Sequence, residues 1–77
     1  MTRLPISLPD LVEVMRACGP IRAADCNPKY IRATAVAQLN TTEPRLANRV
    51  RQFKDDQMEA LTSFILLGLQ LAAVPAS

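Results

Sequence analysis

The sequence predicts an all-α protein, a small bundle of four or five helices with a helix-turn-helix-like centre and a long apolar C-terminal helix. Apolar residues make up 49% of the 77 residues, and they recur at helical spacing, whereas no run alternates as a half-buried strand does. The six prolines and two glycines lie mostly between these runs, where helices begin or end. A chain this short forms one domain, so we expect residues 1–77 to be a single helical domain.

The first helix is predicted from its ends. Ser7 stands at the N-cap position, with Asp10 three residues later at the positive end of the helix dipole. Gly19 and Pro20 end the helix, because Gly adopts a left-handed conformation and Pro cannot continue the hydrogen-bond ladder. The predicted buried stripe of this helix is Leu8, Leu11, Val12, Met15 and Cys18.

Residues 20–42 are predicted to form two helices. Residues 20–26 make a short one, with Pro20 in its first turn. Asn27 caps a longer helix over residues 28–39, which ends at the turn-forming cluster of residues 40–42. The inward side chains of this longer helix are Ile31, Ala35 and Leu39, with Val36 beside them.

A further helix begins at Pro44, with Leu46, Val50 and Phe53 on its inner side. Residues 54–57 interrupt the apolar pattern and leave two arrangements open. Either one helix of ~30 residues, ~45 Å long, runs to the C-terminus, or Asp55 or Asp56 caps a separate last helix. The break is favoured, because a small domain buries more surface by folding back.

Several function classes lack the residues that they need. The chain has no His, which is the commonest general acid–base residue, so we expect no catalysis, no small-molecule substrate and no cofactor. A disulfide between Cys18 and Cys26 is geometrically possible, but two cysteines without a signal peptide fit a reduced compartment better. The lack of His and of a CxxC pair argues against a metal site. The N-terminus lacks a signal sequence, and the last apolar run is too short to span a membrane. We therefore expect a cytoplasmic protein that is not an enzyme.

Charge is unevenly distributed along the chain. Residues 1–54 hold all nine basic side chains against four acidic ones, whereas residues 55–77 hold three acidic side chains and no basic one. A basic body suggests an anionic partner, with nucleic acid the leading candidate. A solvated basic surface without a partner explains the same distribution equally well.

Residues 21–32 resemble a helix-turn-helix, in which a short helix with small residues, a tight turn and a capped second helix follow one another. The resemblance implies that the second helix reads bases in the major groove, with further basic residues on phosphates. Asp25 stands where the motif usually has Gly. The predicted reading residues are Lys29, Tyr30, Arg32 and Thr34, and the predicted flanking residues are Arg45, Arg49 and Lys54. The alternative is a set of short helices joined by ordinary Gly-Pro and Asn-Pro corners.

The C-terminal run is apolar on two faces when drawn as a helix. One face holds Met58, Leu61, Ile65, Leu69 and Ala72, and the other holds Ala60, Phe64, Leu67, Leu71 and Val74. A helix that is apolar on two faces is buried on both. The first face packs on the rest of the chain, and the second is predicted to be a homodimer or partner interface. Plain intramolecular core is the alternative.

Residues 57–61, with the later Leu67 and Gly68, resemble the C-terminal helix of quorum-sensing antiactivators, small helical proteins that silence a transcription factor. Two functional hypotheses follow. The first is a small dimeric transcription regulator that binds DNA through residues 25–29. The second is an inhibitor or antiactivator that binds a transcription factor or an RNA polymerase subunit.

Overall fold

In the computed structural model, residues 4–73 are described, and they form four α-helices with no strand. The helices are α1 (Leu8–Cys18), α2 (Pro28–Thr42), α3 (Pro44–Gln52) and α4 (Asp55–Ala73). The all-α prediction is confirmed. The break between α3 and α4 is also present, at residues 53 and 54, so the arrangement with a separate last helix is the one that forms.

Three helix ends predicted from local chemistry are confirmed, whereas the turn predicted at residues 40–42 is wrong, because α2 continues through them to Thr42. Ser7 Oγ accepts a hydrogen bond from the backbone N–H of Asp10 at 3.3 Å. Asn27 Oδ1 accepts one from the N–H of Tyr30 at 2.9 Å. Gly19 ends α1 with φ of 68°, a left-handed conformation that favours a residue without a side chain.

The start of α4 differs from the prediction that Asp55 or Asp56 caps it. Both carboxylates lie in the first turn. The backbone N–H of Lys54 donates instead to Gln57 Oε1 at 2.8 Å. This is the half of a capping box in which the third helical side chain reaches back to the capping residue. The carboxylates contribute through the positive end of the helix dipole.

The predicted short helix over residues 20–26 is wrong. Only Ala23–Asp25 are helical there, as a single 3-10 turn with no buried residue. Starting a helix is unfavourable until several hydrogen bonds form, and short helices depend on a buried face for stability. Only Ile21 and Cys26, which flank the turn, are partly buried against the core, and this is too little to offset that cost.

All four helices contribute to one core. Its buried residues are Ile6, Leu11, Val14, Cys18, Ile31, Ala35, Leu39, Leu46, Ala47, Val50, Met58, Leu61 and Ile65. The inner face predicted for α2 is therefore correct. The stripe predicted for α1 is partly wrong, because Leu8 is 68% exposed and Val12 46% exposed, while Val14 is fully buried. The neighbouring helices cover α1 on the side of Leu11 and Val14, which leaves Leu8 and Val12 at its edge.

The long apolar C-terminal helix that the sequence predicted is not confirmed by α4. Its first five residues include three carboxylates, those of Asp55, Asp56 and Glu59. Met58, Leu61 and Ile65 fill the core as expected, with relative exposures of 1% or less.

Candidate binding surfaces

An apolar surface borders the seam between α1 and α4. The two helices approach each other at Gly68, where an added Cβ would lie 3.3 Å from Met15 Cε. Helical spacing places Leu8 and Val12 on the same side of α1 as Met15. On α4, Leu71 lies roughly 60° around the helix from Gly68, and Leu67 lies one turn before Leu71, on the outer side. The exposed fractions are 68% for Leu8, 46% for Val12, 51% for Leu67 and 66% for Leu71, and we name these four residues the α1–α4 surface.

Only part of the interface that was predicted on α4 is exposed in the structure. Ala60 is 3% exposed, and Phe64 is half-buried against the core. Only Leu67 and Leu71 are open, and Val74 lies outside the described residues. The sequence offered no signal for the two contributions from α1, because their spacing is also that of a buried stripe.

The residues on α2 that were predicted to read bases differ in how far they are exposed to solvent. Lys29 and Tyr30 are exposed, whereas Thr34 is half-buried. The guanidinium of Arg32 donates from Nη2 to the backbone carbonyl oxygen of Phe53. Arg32 Nε is buried without a hydrogen-bond partner among residues 4–73. Arg32 thus connects α2 to the corner between α3 and α4.

A groove of ≈ 520 Å³ lies between the first turns of α2 and α4. Lys29 and Arg32 line it from α2, and Asp55 and Glu59 line it from α4. The groove therefore holds two cations and two carboxylates. Carboxylates beside the predicted reading residues repel the phosphates that a nucleic acid would bring there.

The outer face of α3 is polar and free of acidic side chains. Arg45, Asn48 and Gln52 are all exposed on it. Arg49 is held in place, with Nη1 3.5 Å from Asp10 Oδ2 and Nη2 3.3 Å from the carbonyl oxygen of Pro5. Within residues 4–73, the cations Arg45, Arg51 and Lys54 form no salt bridge.

Both cysteine side chains have surroundings that are typical of unreactive, structural thiols. Cys18 Sγ lies 3.9 Å from the carbonyl oxygen of Ile31, and Cys26 Sγ lies 3.7 Å from that of Thr62. Burial, with a smaller effect of Cys26, raises the pKa of the Cys18 thiol to about 11. Burial also raises the pKa of Cys26. Both shifts disfavour the reactive thiolate.

Comparisons of the chain with protein-family models, curated proteins and solved structures find no match. In the described part of the chain, no three Cys, Asp or Glu side chains are placed to hold a metal ion. None of the helices over residues 4–73 is both long and apolar enough to cross a membrane.

Proposed function

We propose that the chain is a non-enzymatic regulator that binds a protein of the transcription machinery through the α1–α4 surface. The observation that carries this proposal is the exposure of four aliphatic side chains on α1 and α4, the two helices that meet at Met15 and Gly68. Single exposed apolar residues are common on monomeric proteins. A group of them on adjoining helices is typical of an interaction site.

The energetics favour a covered surface. Burying one Leu or Val side chain contributes roughly 1.5–3 kcal/mol. Leu8 and Leu71 each keep about two thirds of their surface in water, at 68% and 66%. A partner that covers both gains most of that contribution, whereas the isolated chain gains little of it.

The shape and charge of the surface define the partner segment. Residues 60–71 of α4 carry no charged side chain. Two pairs of apolar side chains, each four residues apart on its helix, border a seam at which Gly68 leaves space for Met15. Such a seam accepts the apolar face of an amphipathic helix, with anchors three or four residues apart. The transcription assignment rests on the resemblance of residues 57–61 and 67–68 to quorum-sensing antiactivators.

Base reading by α2 has less support. The first helix of the predicted motif is one 3-10 turn, the Arg32 guanidinium is bonded to the Phe53 carbonyl oxygen, and Asp55 and Glu59 line the same groove. These features favour protein binding over DNA reading at residues 21–32.

The proposal is tested by affinity capture with three baits. These are the tagged wild-type protein, the double variant L67D/L71D, and the matched control A33D/A37D. The control places the same two charges, also four residues apart, on exposed positions of α2. We expect a transcription factor or polymerase subunit that the wild type and the control retain and L67D/L71D loses. Titration with the purified candidate, and a transcription reporter that responds to it, must show the same order.

Two results would contradict the proposal. In the first, all three baits retain the same proteins and the reporter does not distinguish them. In the second, sedimentation equilibrium shows a wild-type homodimer that L67D/L71D dissociates. The α1–α4 surface would then belong to a second copy of the chain.

A further inference from the structure

The helices α2 and α3 form a two-helix unit whose connection is a single residue. α2 ends at Thr42 and α3 begins at Pro44, so only Glu43 lies between them. One face of α3 is buried, through Leu46, Ala47 and Val50. The opposite face points away from the core and is polar along its whole length.

The exposed side chains of α3 are of the types that recognise bases. Arg bonds guanine in a bidentate manner, and Asn and Gln bond adenine in the same way. Arg45, Asn48 and Gln52 are all exposed. They share one face of the helix, because Asn48 and Gln52 follow Arg45 by three and seven residues. Seven residues of helix span ~10 Å, which corresponds to about three base pairs at 3.4 Å each. The major groove, ~12 Å wide, admits one α-helix.

We propose that Arg45, Asn48 and Gln52 on α3 read base edges in the major groove of duplex DNA, while Arg51 and Lys54 contact phosphates. This DNA-binding face is separate from the α1–α4 surface. It also differs from the reading residues that the sequence indicated, since it uses α3 in place of α2.

The charges around α3 suit an anionic duplex. The helix contains no acidic residue, and the Asp10 carboxylate is paired with Arg49. Exposed carboxylates bound this face at both ends, Glu43 just before Arg45 and Asp55 and Asp56 just after Lys54. Arg51 and Lys54 remain without a salt bridge among residues 4–73. Phosphate contacts of this kind supply most of the affinity for DNA of any sequence.

Two contacts hold α3 in position. Arg49 bonds the Pro5 carbonyl oxygen and Asp10 near the start of α1. Arg32 bonds the carbonyl oxygen of Phe53, the residue that follows α3. Arg32 is thus a positioning residue for α3. A reading helix that is already fixed loses little conformational freedom on binding, which favours affinity.

The test is fluorescence anisotropy with two duplexes, one of mixed sequence and one selected from a random library by the wild-type protein. Asn48→Ala and Gln52→Ala should each weaken binding to the selected duplex roughly 5- to 150-fold. Neither substitution should change the affinity for the mixed-sequence duplex much. Arg51→Ala should weaken both duplexes and reduce the slope of log affinity against log salt by about 0.9. Melting curves verify folding, and every altered side chain is exposed.

The matched controls are Gln38→Ala, an exposed amide on α2, and Arg16→Ala, an exposed arginine on α1. Both should bind the two duplexes as the wild type does, apart from the small effect of net charge. L67D/L71D should lower DNA affinity only as much as the control A33D/A37D, which adds the same two charges, so failure of either proposal is recognised separately.

Three outcomes overturn the inference. The wild type binds no duplex even at about 50 mM salt, where phosphate contacts are strong. Arg16→Ala weakens binding as much as Arg51→Ala, which shows an effect of net charge alone. Duplex RNA binds as tightly as duplex DNA, which excludes major-groove reading because that groove is too narrow in RNA.

Discussion

Two leucines of α4 are expected to respond very differently to truncation. Leu61 is 0% exposed and Leu71 is 66% exposed. A Leu→Ala change removes three carbon atoms, each contributing about 0.8 kcal/mol when buried, so a fully buried Leu loses about 2.4 kcal/mol of transfer free energy. Leu61→Ala also leaves a cavity, which brings the expected loss of unfolding free energy to about 2.7–5 kcal/mol. Leu71 has only about a third of its surface buried, so Leu71→Ala should cost about 0.8 kcal/mol.

The assay is urea denaturation followed by circular dichroism, at two protein concentrations a hundredfold apart. If the slopes of free energy against urea agree, the differences in midpoint report stability directly. The rest of the Leu71 contribution, about 1.6 kcal/mol, should appear when a partner covers the α1–α4 surface. That energy corresponds to an affinity about 15-fold lower for Leu71→Ala.

A Leu71→Ala loss as large as that of Leu61→Ala at both concentrations would refute this reasoning. Leu71 would then be buried within the chain, and the α1–α4 surface would not be open. A loss that grows with protein concentration would mean that a second copy of the chain covers Leu71.

The remaining predictions concern the caps, the α1–α4 seam and a buried thiol. Ser7→Ala and Asn27→Ala should each lower the free energy of unfolding by about 0.5–2 kcal/mol. The Asn27 substitution should lower the free energy of unfolding more, because its capping hydrogen bond is 2.9 Å long and that of Ser7 is 3.3 Å long. An unchanged urea midpoint for Asn27→Ala would contradict this prediction. Gly68→Ala should raise stability by up to about 1 kcal/mol, since Gly is unfavourable inside helices and the new methyl meets only the flexible end of Met15. Thermal unfolding measures the change, and a lower melting temperature would show that Met15 cannot move. Burial raises the pKa of Cys18 from 9.0 to about 11, so its contribution to stability is complete below pH 9 and is lost as the pH rises towards 11. Urea denaturation at several pH values should therefore show a smaller alkaline loss for Cys18→Ala than for the wild type, and equal losses would contradict it.

The starts of α1 and α2 and the end of α1 could be predicted from the sequence because capping chemistry is local. Ser7 and Asn27 each accept a backbone N–H three residues along the chain. Gly19 adopts a conformation that other residues avoid. Periodicity likewise identified the inner face of α2, since Ile31 and Ala35 are both 0% exposed. These features depend on a few consecutive residues, so the sequence alone determined them.

The candidate surfaces depended on contacts between distant parts of the chain. The half-buried side chain of Arg32 donates a hydrogen bond to the carbonyl oxygen of Phe53, which is 21 positions away in the sequence. No periodicity records that contact. Leu8 and Val12 have the spacing of a core stripe, and only the placement of the other helices leaves them exposed.

The sequence by itself determined that this protein is helical, where α1, α2 and α3 begin, and that it contains no His. The tertiary structure decided which apolar and which basic side chains stay at the surface. The physical reason is that hydrogen-bonded turns and caps form between near neighbours in sequence. Burial, in contrast, is a property of a helix together with the helices packed against it. Leu71 and Leu61 have the same chemistry on the same helix, and only their surroundings differ.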